Sequence, residues 1–89
     1  MNRCPAALLE DLDDVLAELR GWPGVAEKSP GLFYVRRQAF LHFHALVGGA
    51  RRADVRGAAD WIEVPLPRPL SATRRRAFLR TLRTCWAER

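Results

Sequence analysis

The chain is poor in the residues that most directly announce chemistry. Its two cysteines, Cys4 and Cys85, lie near opposite ends of 89 residues, with no metal-type spacing and too few partners for a disulfide framework. They could meet only if the first and last helices run antiparallel, and reduced thiols are the expectation. The only serines are Ser29, in a turn, and Ser71, at a helix start, so no serine nucleophile is offered. Lysine occurs once, at Lys28, so fourteen of the fifteen basic residues are arginine. With the abundant alanine, that bias reads as a GC-rich genome more than as selection for phosphate contacts. No apolar run approaches the roughly 20 residues of a membrane-spanning helix. The N-terminal stretch "MNRCPAALLEDLDDVLAELR" turns acidic where a signal peptide would be apolar, so the cytoplasm is the expected location and no membrane partner is expected.

What is present suits one folded domain covering residues 1–89. The hydrophobic fraction of 48% is above that of disordered chains, and the length allows a single modest core. The net charge of +5 is uneven: residues 1–30 carry three basic and six acidic side chains, leaving the excess of arginine to the C-terminal two thirds.

In "PAALLEDLDDVLAELRG", Leu8, Leu9, Leu12, Val15, Leu16 and Leu19 recur at helical spacing, with Pro5 in the first turn and Gly21 as the stop. A helix near 6–20 is predicted. "LFYVR" and "AFLHFHA" flank the short link Arg37-Gln38 as in a hairpin, "ADVR" is a short strand, and "WIEVPL" suits a last or edge strand. A second helix near 71–87 is capped by Ser71 or Thr73 and carries the stripe Phe78, Leu79, Leu82, Cys85 and Trp86. The predicted fold is α+β, a two-layer sandwich in which an antiparallel sheet of three to five strands has an N-terminal and a C-terminal helix on one face. Its core should contain Leu12, Leu16, Leu19, Leu41, Phe43, Val55, Ile62, Phe78, Leu82 and Trp86.

Strand alternation then sorts the remaining side chains. Ala39, Leu41, Phe43 and Ala45 face one way, Phe40, His42 and His44 the other. Ala53 and Val55 oppose Asp54 and Arg56, and Ile62 and Val64 oppose Trp61 and Glu63. With the apolar sets under the helices, His42, His44, Asp54, Arg56, Trp61 and Glu63 share the opposite face, with Tyr34 and Arg36 as further candidates.

This face supports a binding or interaction module whose ligand or protein partner is unknown, a second copy of the chain included. Two imidazoles at i and i+2 could ligate one ion with Asp54 or Glu63, but nothing in the spacing fixes a third ligand, and ordinary half-exposed strand histidines are the expectation. Acid–base catalysis by His42 or His44 has an orienting carboxylate and no nucleophile beside it. The last helix offers a nucleic-acid alternative through Arg74, Arg75, Arg76, Arg80 and Arg83, although any amphipathic helix on a sheet needs a charged outer side. Trp22 and Trp61 read as core or edge packing. No cofactor motif is present and no cofactor is expected.

At "AFLHFH", "ADVR" and "DWIEVPL" the chain resembles a small bacterial luciferase-like domain family of uncharacterised proteins. Its members carry an "FAHFH" strand, a short Asp-bearing strand with Arg, and a later "DWVEV"-type strand. The resemblance spans about residues 24–66, with Leu41 in place of a small residue and a shorter segment between Arg56 and Trp61. It implies that His42, His44, Asp54, Arg56, Trp61 and Glu63 form the characteristic face, and no light-emitting chemistry.

Overall fold

A computed structural model describes residues 4–89. A 3-10 helix, Ala6–Leu12, runs directly into α1, Asp13–Arg20. Five strands follow, β1 (Val25–Ser29), β2 (Leu32–Val35), β3 (Gln38–Ala45), β4 (Arg51–Arg56) and β5 (Trp61–Pro65), and α2 (Ala72–Ala87) ends the chain. The strands form one antiparallel meander in the order β1-β2-β3-β4-β5, so the fold is α+β as expected. Ser71 caps α2 by accepting a hydrogen bond from the Arg74 N–H at 3.2 Å. The first turns of the N-terminal helix are 3-10 rather than α, a common form at helix starts.

The predicted core residues Leu12, Leu16, Leu19, Leu41, Phe43, Val55, Phe78 and Leu82 are all buried in one cluster. Phe43 meets Phe78 edge-on at 6.3 Å, which sets α2 against the Leu41/Phe43 side of β3. Two expected members depart. Trp86 is only partly buried, its indole N–H donating to the Pro23 carbonyl at 2.9 Å. Ile62 is 41% exposed because it sits on the edge strand beyond the cover of the helices. Cys4 and Cys85 are both buried free thiols.

Phe40 corrects the simple alternation. A bulge in β3 lets Phe33 pair with Leu41 and Tyr34 with Ala39, leaving Phe40 as the extra residue. Phe40 therefore joins the core cluster beside Leu41 instead of sharing the outer face with the histidines. Arg36 also leaves that face. It and Arg37 form the β2–β3 turn with φ of 49° and 73°, and the Arg36 guanidinium donates to the Arg89 carbonyl.

Among the described residues, one arginine lies inside. Arg51 alternates with Ala53 and Val55 and so points inward from β4, fully buried. Its Nη atoms grip both carboxylate oxygens of Asp11 at 2.6 Å, and its remaining donors reach the carbonyls of Leu66 at 3.0 Å, Pro67 at 3.3 Å and Leu8. Asp11 also accepts from the Leu70 N–H at 2.7 Å. The hydrogen bonds from Arg51 outweigh partial burial and hold the Asp11 carboxyl at about 2.

Removing Asp11 strands a buried cation, whereas removing Arg51 leaves a carboxylate that water can reach. Asp11→Ala is expected to cost about 3–5 kcal/mol and Arg51→Met distinctly less, by chemical denaturation. Because the folded carboxyl titrates below its ordinary value of 3.8, its contribution is complete above about pH 4 and fades as pH falls toward 2. The loss in wild type should amount to about 2 kcal/mol and be absent from the Asp11→Ala variant.

Candidate functional site

Register places the site. On the side of the sheet away from Phe43 and Arg51, His42 pairs across to Asp54, and Asp54 to Glu63. One row along, His44 faces Arg52, and at the other end Arg56 faces Trp61. The six residues expected on this face are therefore on it, together with Arg52, which strand reasoning missed. Starting the strand at Ala53 hid Arg52, although its position two residues before Asp54 is the signal that places it there.

The side chains form a connected set. His44 Nε2–H donates to Asp54 Oδ2 at 2.8 Å, while Arg52 Nε–H donates to Oδ1 at 2.9 Å. Arg52 also approaches Glu63 at 3.6 Å. The His42 ring lies edge-on to His44 at 4.6 Å and to Trp61 at 5.0 Å, and its Nε2 is 4.0 Å from Asp54 Oδ2. Arg56 stacks on Trp61 at 4.6 Å and donates to the Ala39 carbonyl at 2.6 Å. One nitrogen from each imidazole and one Asp54 oxygen lie within 4.8 Å of one another.

Exposure along this face is graded. Trp61 is 39% exposed on the edge strand, with Arg56 and His42 packed against its ring. His44 is only 4% exposed, which departs from the half-exposed strand histidine expected, and its Nδ1 has no hydrogen-bond partner among the described residues. The reason lies in the short β2: β3 continues past it, and the Cys4 N–H donates to the freed Phe43 carbonyl at 3.4 Å. Cys4, Pro30, Leu32 and Ala39 thereby wall a pocket of about 310 Å³ beside His42 and His44. Neither Cys4 nor Pro30 could be placed there by periodicity, since both lie outside strands.

Burial pushes both the Cys4 thiol and the His42 imidazole toward their neutral forms, raising the first and lowering the second. For His42 the neighbouring His44 acts in the same direction, and Asp54 opposes them.

The arginines of α2 do not act as one set. Arg75 pairs with Asp14 at 3.2 Å and donates to the Leu70 carbonyl, and Arg83 stacks against Trp22 and Trp86 at 5.1 and 5.4 Å. Arg74, Arg76 and Arg80 are exposed and make no ion pair among the described residues. No helix is long and apolar enough to cross a membrane among the described residues. Comparisons with protein families, curated proteins and solved structures find no match for this chain.

The His42 imidazole should titrate below 6.5, followed by NMR of its ring resonances as pH falls. The unfolded chain then binds the proton more readily, so this group lowers stability as pH drops through 6.5. In Asp54→Asn, with the opposing charge of Asp54 gone, the midpoint should move lower still.

Proposed function

We propose that the protein is a non-enzymatic binding module whose working surface is the outer sheet face, with the pocket beside His42 and His44 receiving a small ligand. The observation that carries this reading is the pocket itself: mostly apolar walls with two imidazoles converging on one side, at the lower end of the size range of small-molecule sites. Trp61 and Arg56 extend that surface as a half-exposed stacked pair suited to a flat or apolar group. Cys4, the potential nucleophile among the described residues that line the pocket, is held as a thiol at neutral pH by its burial, which favours binding over covalent chemistry. The resemblance to the luciferase-like domain family singles out the same face.

Ligand-observed NMR with a panel of small aromatic and aliphatic acids tests this. Wild type should give hits that compete with one another, and Leu32→Trp, which fills the pocket, should abolish them while Arg80→Ala leaves them intact. No hits with wild type, or hits that survive Leu32→Trp, would refute the pocket reading.

Arg74, Arg76 and Arg80, exposed on α2 and without an ion pair among the described residues, favour nucleic acid as the alternative. On that reading, affinity for a short duplex measured by fluorescence polarisation falls steeply with salt and drops in Arg74→Ala, Arg76→Ala and Arg80→Ala. Absence of binding at low salt would remove it.

A further inference from the structure

We propose that His42, His44 and Asp54 form a binding site for a divalent transition-metal ion on the outer face. The proposal rests on that face being the working surface, and it adds a ligand class that the pocket alone does not specify.

The donor set is two imidazole nitrogens and one carboxylate oxygen within 4.8 Å of one another, close enough to converge on one ion with small side-chain adjustments. Zinc–nitrogen and zinc–oxygen bonds of about 2.0–2.2 Å place neighbouring ligand atoms roughly 3–3.5 Å apart in a tetrahedral site. The observed separations to Asp54 Oδ2, 2.8 Å from His44 and 4.0 Å from His42, bracket that value. The sheet supplies the arrangement rigidly. Two histidines two apart on β3 point the same way, and antiparallel register sets Asp54 directly across from His42.

The ion takes the place of the proton that His44 Nε2 donates to Asp54 Oδ2, and that proton transfers through solvent to Nδ1 of the same ring, so the neutral imidazole changes tautomer with no net proton released. Arg52 donates its shorter bond to Oδ1, so it orients the carboxylate from the far side while Oδ2 faces the imidazoles. His44 Nδ1, buried and without a hydrogen-bond partner among the described residues, is the nitrogen that then carries the proton. Imidazole and carboxylate donors suit zinc, nickel, iron or copper over magnesium or calcium. Three protein ligands leave a coordination position for water or for an anionic group of a bound molecule.

Tag-free protein stripped with a chelator, titrated with zinc by calorimetry, decides the matter. One ion per chain is expected, with affinity reduced at least about tenfold in His42→Ala and in Asp54→Ala, since losing even an outer-shell partner costs about that much. Circular dichroism checks that both variants fold, and Asp54→Glu, which keeps a carboxylate, should retain more affinity than Asp54→Ala. Cobalt in place of zinc should give visible absorption that the His42→Ala variant lacks. No zinc binding by wild type, or binding unchanged in both alanine variants, overturns the proposal. Running the acid panel on the chelator-treated protein separates the two readings: hits that persist there support the pocket whatever zinc does, and stoichiometric zinc binding without hits supports the metal site alone.

Discussion

The buried Arg51 guanidinium is the constraint on which the rest of the structure hangs. A desolvated arginine is tolerated only when its donors are matched, and here Asp11 and three backbone carbonyls supply the partners. Those partners come from the N-terminal helix and from the segment between β5 and α2, so one side chain of β4 ties three parts of the chain together. The bidentate geometry of the Arg51–Asp11 pair also fixes where the N-terminal helix begins relative to the sheet. A one-residue slip of β4 would expel Arg51 and carry Asp54 inward, so the interior ion pair and the outer site share a single register.

The outer face follows from that register. Inward positions of β3 and β4 hold Leu41, Phe43, Ala53 and Val55, and every alternate position is free to carry polar groups. Cross-strand pairing then turns separate residues into a network, with Asp54 serving His44 on one oxygen and Arg52 on the other. Arg52 and Asp54 form a charge-balanced pair, which lets a carboxylate remain largely covered while its histidine neighbours stay close.

Much of this is legible from residue order. The leucine spacing of the N-terminal helix, the Ser71 cap, and the period-two pattern around His42, His44, Asp54 and Glu63 are local signals, and each appears where local chemistry puts it. Phe40 was not legible, because a bulge depends on how β2 pairs with β3 and leaves no mark in composition. Ile62 shows the same limit from the other direction. Its alternation is that of a core residue, and although the prolines mark β5 as a last or edge strand, only the packing of the helices shows that Ile62 is left uncovered.

By itself the sequence determined the α+β element order and which side chains of β4, β5 and the unbulged part of β3 share a face, because periodicities of 3.6 and 2 are set by backbone geometry within each element. Tertiary structure alone decided that Arg51 is buried against Asp11, that Cys4 and Pro30 wall a pocket beside His44, and that Arg75 and Arg83 are drawn into internal contacts. These depend on contacts between residues separated by tens of positions. Burial and pairing are properties of the neighbours the fold brings together, and no local pattern encodes them.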